Sequence, residues 1–146
     1  MILKNQMIVA AIALMMMFSV QSYSQIGVTG YGLRAIGVNT SQENTISGEL
    51  KLFANRDFRN VLTELDLFYN FDPRTYHRFS LGIGINGAPF REFDNLYAIT
   101  IPVQLEVFPL QNFKRLSLML ELTPEVVIDS DMALRSLWGI RYTFGE

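Results

Sequence analysis

Alternation of apolar and polar residues with a period of two is the feature that most constrains the fold of this chain. Segment 116–123, with the sequence LSLMLELT, puts four leucines on one face and mostly polar residues on the other. This pattern is typical of a β-strand, in which successive side chains point to opposite faces. No segment after Gln25 has a convincing helical periodicity, so an all-β fold is predicted. Similar alternation occurs at 26–38, 46–54, 61–71, 79–86, 99–107 and 134–144.

Clusters of Gly, Pro, Asn and Asp separate these seven segments, as expected for turns. Strands joined in this way form an antiparallel up-and-down meander. We predict that the meander closes as a small barrel of about eight strands. Because bacterial single-chain barrels have even strand numbers, either an eighth strand is hidden within 26–45 or 89–95, or one segment is a loop. Pro102, inside one segment, predicts a bulge or a weakly paired position.

The first 24 residues differ from the rest of the chain. Lys4 supplies a positive charge, a nearly unbroken apolar run covers 7–20, and the small polar stretch QSYSQ follows at 21–25. This is the layout of a secretory signal peptide, and the apolar run is short for a transmembrane helix, which needs about 20 apolar residues. We expect a cleaved signal peptide at 1–24 and one barrel domain at 25–146. The alternative is an uncleaved membrane anchor.

Composition argues against thiol chemistry and against nucleic-acid binding. The chain has no cysteine, so disulfides and thiolate chemistry are excluded. Its formal net charge is −2. A slightly acidic chain is a poor partner for nucleic acid, which is bound through clustered Lys and Arg.

The polar faces of the strands indicate what fills the barrel. They carry Gly, Ser, Thr, Asn and Gln with single charges of both signs, whereas a water-facing surface would carry more Lys and Glu. Paired charges suit a narrow lumen, because buried charges need partners, and an apolar outer face suits lipid. Since a barrel of about eight strands is filled by its own side chains, we predict a structural network of lumen charges. Its members are Arg34, Glu49, Lys51, Glu64, Asp66, Glu106, Glu121 and Arg141.

Aromatic residues are a second indication of a membrane. They flank the turns at 72–77 and 109–112 and close the last segment. If these turns lie at one end of the barrel, the aromatics form a girdle at one membrane interface. The alternative is a set of ordinary strand-end aromatics in a soluble core. The residues concerned are Tyr69, Phe71, Tyr76, Phe79, Phe108, Phe113, Tyr142 and Phe144.

The last ten residues, LWGIRYTFGE, resemble the closing strand of bacterial outer-membrane barrels. In those proteins, alternating hydrophobic residues and a near-terminal aromatic form the signal for the barrel-insertion machinery. Two residues follow the aromatic here, which departs from the usual terminal phenylalanine. The signal-peptide exit Tyr-Ser-Gln resembles that of Bacteroidetes proteins, and the whole pattern resembles small OmpA/OmpX-like barrels. The match to the insertion signal falls on Trp138, Ile140, Tyr142 and Phe144.

This resemblance implies a location and partners, but no particular activity. The location is the bacterial outer membrane, reached by export to the periplasm. The implied partners are outer-membrane lipid and the export and barrel-insertion machinery.

Residues suited to catalysis or cofactor binding are sparse. The single histidine, His77, lies near Ser80, but no strained nucleophile turn accompanies them, so we expect a turn histidine. One histidine without cysteine makes no zinc site, and the acidic stretch at 125–131 lacks the spacing of a calcium loop. Gly82 and Gly84 precede no helix and predict small lumen residues, not a phosphate loop. We expect no catalytic, cofactor-binding or metal-binding residues.

Three functions remain open at this point. The first, which we favour, is a non-enzymatic outer-membrane barrel with a structural or surface-recognition role, carried by loops at 55–60, 89–95 and 124–131 if they face outward. The second is a soluble periplasmic barrel that binds a small apolar ligand, with its apolar face inward. The third is a barrel-type lipid-modifying enzyme that uses His77.

Overall fold

A computed structural model describes residues 25–32, 35–54, 61–72, 74–89, 96–128 and 130–145. These residues form nine β-strand segments and no helix, so the all-β prediction is confirmed. Within this part of the chain, no helix is long and apolar enough to cross a membrane. The signal peptide predicted at 1–24 lies outside the described residues. In chain order the strands are β1 (Ile26–Tyr31), β2 (Ala35–Asn39), β3 (Ile46–Phe53), β4 (Leu62–Asn70), β5 (His77–Gly87), β6 (Leu96–Thr100), β7 (Val103–Val107), β8 (Leu116–Val127) and β9 (Met132–Phe144).

The strands close into an antiparallel barrel. Strands β1 to β5 pair in chain order, β8 pairs with β9, and β9 returns to pair with β1. β6 and β7 share one position in the barrel, because both pair with β5 on one side and with β8 on the other. Nine segments therefore fill eight positions, and the predicted up-and-down barrel of about eight strands is confirmed.

The break between β6 and β7 lies at Ile101 and Pro102. Proline has no amide hydrogen to donate to a ladder. Neighbouring strands still hold the segment, since the Gly82 amide donates to the Pro102 carbonyl at 2.8 Å and the Ile101 amide donates to the Pro124 carbonyl at 3.1 Å. The predicted weak pairing at Pro102 is thus a short interruption of one barrel strand.

The hidden eighth strand lies within 26–45, one of the two places named for it in the sequence analysis. The chain reverses there between β1 and β2, and Tyr31 pairs with Ala35. Three residues separate this pair in the chain, so the two paired residues are an even number of positions apart. The alternation of the two faces therefore continues unchanged from β1 into β2, and the turn leaves no trace in the pattern. The single segment at 26–38 therefore contains two strands, and the seven segments correspond to eight positions of the barrel. Tyr31 and Ala35 are also buried inside the barrel, on the opposite face from the one their apolar character predicts.

The turn predicted at 124–131 is much shorter in the structure. β8 continues through Pro124 to Val127 before β9 begins at Met132. The two strands form a long hairpin, paired from Leu116 opposite Tyr142 to Val126 opposite Met132.

The connections divide between the two ends of the barrel. The termini end carries Gln25, Gly145 and the turns at 40–45, 71–76 and 108–115. Strands β1, β3, β5 and β8 run towards the far end and stop there. Of the loops predicted at that end, residues 55–60 and 90–95 lie outside the described part of the chain.

Polar side chains point into the barrel and apolar side chains point outward. Ile83, in the middle of β5, is 62% exposed, whereas the charged side chains of Lys51 and Glu64 are fully buried. A small apolar cluster of Tyr31, Met119 and their neighbours packs inside the barrel. The outer surface is apolar along both halves of the chain. Its exposed members include Val28, Ile36, Leu52, Leu67, Ile83, Ile99, Leu120 and Ile140.

Candidate functional site

The predicted lumen charges lie inside the barrel, on the inward-pointing positions of their strands. Each of the seven that the structure describes has an exposed fraction of 3% or less. The eighth, Arg34, lies outside the described residues. The seven are Glu49, Lys51, Glu64, Asp66, Glu106, Glu121 and Arg141.

Lys51 is the centre of the largest group. Its ammonium nitrogen lies 3.0 Å from a carboxylate oxygen of Glu64 and 2.7 Å from oxygens of Asp66 and Glu121. Glu64 and Asp66 lie on the neighbouring strand β4, but Glu121 lies on β8, across the lumen. The rings of Tyr31 and Phe68 also face the ammonium group, with centroids at 6.0 and 5.8 Å. Three carboxylates and two aromatic faces thus replace the water that a buried lysine loses.

Glycine makes room for this group. An added Cβ at Gly84 would overlap Asp66 Oδ1 and lie 2.7 Å from Thr100 Oγ1. Thr100 donates a hydrogen bond of 3.2 Å to Asp66. Gly84 therefore faces the lumen, as expected, and it must be small because the Asp66 carboxylate occupies the space that a side chain would need.

Arg135 is a member of the network that the sequence analysis missed. Its guanidinium lies 2.7 Å from Glu64, 3.4 Å from Glu121 and 2.5 Å from Glu125. Extending the alternation of β9 backwards from Arg141 gives Arg135 the same inward face, so the period-two pattern contained this signal. The loop predicted at 124–131 kept Glu125 out of the predicted network, whereas Arg135 lay within the predicted segment 134–144 and was overlooked.

A second set of contacts surrounds Glu49. Its carboxylate accepts hydrogen bonds from Tyr31 at 2.6 Å, from Gln104 at 2.6 Å and from Arg141 at 3.1 Å. Gln104 also donates to Glu121 at 2.7 Å, which joins this set to the Lys51 group. The structure therefore brings six of the predicted residues into one connected network.

Glu106 belongs to a separate group nearer the termini end. It accepts from Ser117 at 2.6 Å and forms an ion pair with Arg78 at 3.3 Å. Arg78 was not predicted, because it lies between the turn expected at 72–77 and the strand expected from residue 79, whereas β5 begins at His77. Phe108, expected in the outer girdle, is only 7% exposed and lies inside, with its ring centroid 5.5 Å from the Arg78 guanidinium carbon.

The network ties together strands that are not neighbours. Lys51 and Glu121 join β3 to β8, Arg135 and Glu64 join β9 to β4, and Arg141 and Glu49 join β9 to β3. These contacts connect opposite walls of the barrel and fill the lumen with paired charges. Removing one partner would leave a buried charge without compensation. This costs far more free energy of folding than replacing both partners with apolar residues.

The residues of the predicted insertion signal line the outside of β9. Trp138 is 63% exposed, and Ile140 and Phe144 are also exposed. Tyr142 is half-buried and packs edge-on against Phe144, with ring centroids 4.8 Å apart.

The residues weighed for catalysis and metal binding are dispersed. His77 begins β5 on the outer face, whereas Ser80 is buried and donates to Asn70 inside the barrel at 2.6 Å. In the described part of the chain, no group of three or more His, Cys, Asp or Glu residues could hold a metal ion. Glu125 of the acidic stretch pairs with Arg135, and Asp129 lies outside the described residues.

Comparisons with protein-family models, with curated proteins and with solved structures gave no match for this chain.

Proposed function

We propose that this protein is an integral β-barrel of a bacterial outer membrane, non-enzymatic, with a closed lumen and a structural or surface-recognition role. The observation that carries the proposal is the distribution of side chains between the two faces of the barrel. Large apolar residues cover the outside and charged residues fill the inside. Transmembrane barrels have this arrangement, with an outward apolar band and a polar interior.

The extent of the apolar surface supports a lipid environment. Soluble monomers rarely expose contiguous apolar patches larger than a few hundred Å². Transferring one large aliphatic side chain from water to an apolar medium contributes roughly 1.5–3 kcal/mol. An outer surface with residues such as Leu67, Ile83 and Leu120 on strand after strand therefore gains a large free energy in lipid.

The length of the longest strands and the placement of aromatics agree with the same environment. A tilted transmembrane strand needs about 9–11 residues. Strands β4, β5, β8 and β9 reach this length with 9, 11, 12 and 13 residues, whereas β1, β2 and β3 are shorter, with 6, 5 and 8. Exposed aromatics gather at the termini end, where Phe71 lies between Tyr69 and Phe79 with ring centroids 5.1 and 5.6 Å away. Such a girdle suits the interface between lipid and water.

The soluble alternative requires the opposite distribution of side chains. A barrel that carries a small apolar ligand needs an apolar lumen. Here the lumen holds Lys51, Arg141 and their carboxylate partners, and the apolar residues lie outside. This observation favours the membrane proposal over a soluble ligand carrier.

The non-enzymatic part of the proposal rests on the separation of candidate groups. A hydrolase needs a nucleophile and a base within hydrogen-bond reach. His77 and Ser80 lie on opposite faces of β5, and the Ser80 hydroxyl is engaged by Asn70. The substitution His77→Ala tests the enzymatic alternative, since it would abolish any lipid-modifying activity that depends on this histidine.

The environment is tested by refolding residues 25–146 from urea into plain buffer and into detergent micelles. Circular dichroism and boiled and unboiled samples on a denaturing gel are compared for both. We expect a β spectrum and a boiling-dependent mobility shift only in detergent. A monodisperse β-rich protein in plain buffer would refute the membrane proposal.

A further inference from the structure

The connected network of the lumen has more carboxyl groups than cations. Its four most buried carboxyl groups each have an exposed fraction of 3% or less, and three cationic side chains contact them. The four are Glu49, Glu64, Asp66 and Glu121, and the cations are Lys51, Arg135 and Arg141. A fifth carboxyl group, that of Glu125, contacts Arg135 and is 8% exposed. Among the residues that the structure describes, at least one buried carboxyl group therefore has no cation of its own.

The excess lies at two neighbouring residues of β4, Glu64 and Asp66. Their oxygens lie 3.0 and 2.7 Å from the same ammonium nitrogen, that of Lys51, and the two carboxyl groups are hydrogen-bonded to each other. An ionised carboxylate can only accept hydrogen bonds, so a hydrogen bond between two carboxyl groups requires a proton on one of them. Pairs of carboxyl groups held this close in proteins share one proton, because two adjacent negative charges repel each other.

The donors around the pair identify the protonated member. Arg135 donates to both oxygens of Glu64 at 2.7 Å, and Asn86 donates to Glu64 at 3.1 Å. Asp66 accepts from Thr100 at 3.2 Å and shares Lys51 with Glu64 and Glu121. Glu64 is therefore well stabilised as an anion, whereas the surroundings of Asp66 suit a neutral carboxyl group.

The strands packed around Asp66 add no second cation to it. Its ladder neighbours Gly84 on β5 and Thr100 on β6 are uncharged. Within the described chain, Lys51 is the one cation in contact with Asp66. The other charged or titratable groups that face this part of the lumen are Tyr31 on β1, Glu49 on β3, Glu64 on β4, Glu121 and Glu125 on β8, and Arg135 and Arg141 on β9.

We propose that Asp66 keeps its proton in the folded barrel at neutral pH, and that this bound proton is a pH-sensitive element that stabilises the closed barrel. The protonated Asp66 donates to Glu64, and the pair then carries one negative charge next to Lys51. When the proton leaves to the solvent, a second negative charge appears beside Glu64 in a site without another cation. The barrel is therefore less stable when Asp66 is ionised.

The direction of the pH dependence follows from the number of protons bound. In the unfolded chain an aspartate has its ordinary pKa of about 3.9, so it carries no proton near neutral pH. The folded barrel then binds one proton more than the unfolded chain. Stability falls with rising pH wherever the folded state binds more protons. One extra proton raises the equilibrium constant for unfolding about tenfold per pH unit.

This element is independent of the proposed location in a membrane. It depends on side chains inside the barrel, and not on whether lipid surrounds the outside. A result that refutes the bound proton would therefore leave the membrane proposal intact, and the reverse also holds.

The test compares the wild-type protein in detergent micelles with Asp66→Asn and with the control Asp72→Asn, in an exposed turn. Urea unfolding is measured between about pH 5.5 and 7.5, above the ordinary range of aspartate. Relative to Asp66→Asn, we expect the unfolding constant of the wild type to rise about tenfold per pH unit, and that of Asp72→Asn to rise equally. Parallel pH profiles of the wild type and Asp66→Asn would show that Asp66 is ionised and would overturn the proposal.

Two further measurements keep the test decisive if Asp66→Asn does not fold. The infrared spectrum of the folded wild type at pH 7 should contain the carbonyl stretch of a protonated carboxyl group, which Asp72→Asn should retain. Unfolding of the wild type in weakly buffered urea at pH 7 should release about one proton per chain, as the linkage relation requires. Absence of both the infrared band and the released proton would refute a protonated Asp66.

Discussion

The ammonium group of Lys51 lies 2.7 Å from a carboxylate oxygen of Glu121, although the two residues are 70 positions apart in the chain and lie on strands that do not pair with each other. Both side chains are fully buried. This ion pair spans the lumen and connects β3 with β8. It therefore stabilises the closed barrel as a whole, in addition to the hydrogen bonds between adjacent strands.

Replacing Lys51 with methionine should destabilise the barrel severely. The substitution keeps the length of the side chain but leaves Glu64, Asp66 and Glu121 without their shared cation. Breaking a buried ion pair from one side costs about 3–5 kcal/mol, and we expect a loss of at least this size. Urea titration of the refolded protein, followed by circular dichroism, measures the change in unfolding free energy.

The matched control is Lys114→Met, at an exposed turn position. Surface substitutions of this kind change stability by about 0.5 kcal/mol or less. If the Lys51 and Lys114 variants unfold at the same urea concentration, the lumen network makes no contribution to stability.

Two glycines offer a second matched pair. Alanine at position 84 would place a Cβ against Asp66 Oδ1 and Thr100 Oγ1, whereas a Cβ at Gly30 would meet nothing within 4 Å. We expect Gly84→Ala to destabilise the barrel by about 1–3 kcal/mol, as other overpacked sites do. Gly30→Ala should be neutral or stabilising, because glycine in a strand costs roughly 0.5–1 kcal/mol relative to alanine. Thermal unfolding of both proteins in the same detergent distinguishes the two cases, and equal stability would contradict the crowding at Asp66.

The period-two pattern predicted the faces of most strands because each face has its own chemistry. Residues such as Glu49, Lys51 and Glu121 could be assigned to one interior from alternation alone. Their actual partners could not, since the ion pairs join strands whose relative register depends on closure of the whole barrel. Gln104 illustrates this limit, because a neutral residue bridges Glu49 and Glu121.

The errors of the sequence prediction have local physical causes. A reversal that keeps alternation in phase, between Tyr31 and Ala35, cannot be detected by periodicity. A proline in a strand looks like a turn, although Pro124 lies within β8. That second error kept Glu125 out of the predicted network, where it pairs with Arg135.

The outer face gives a prediction that depends on the surrounding medium. Ile83 lies at the middle of β5 and is well exposed. If lipid surrounds it, Ile83→Arg should destabilise the barrel in bilayers by about 2–4 kcal/mol, the range for arginine at the bilayer midplane. Unfolding in phospholipid vesicles measures this, with Thr75→Arg in an exposed turn as the control. In plain water the same arginine would be harmless, so an unchanged Ile83→Arg protein would contradict a lipid-facing β5.

The outer face of β9 separates assisted assembly from intrinsic folding. Tyr142 and Phe144 contact each other on the outside of the strand that closes the barrel against β1. If the barrel-insertion machinery recognises them, the double substitution Tyr142→Ser with Phe144→Ser should lower the amount of barrel assembled in the outer membrane of a bacterial host. The same protein should still refold from urea in detergent, because the lumen network and the ladder hydrogen bonds do not involve these two side chains.

Heat-dependent gel mobility, measured on membranes of the bacterial host and on the refolded protein, gives both readouts. The control, Ile36→Ser together with Val38→Ser on the outer face of β2, removes two exposed apolar side chains away from the closing strand. Equal assembly of the two double variants would mean that the end of β9 carries no signal of its own.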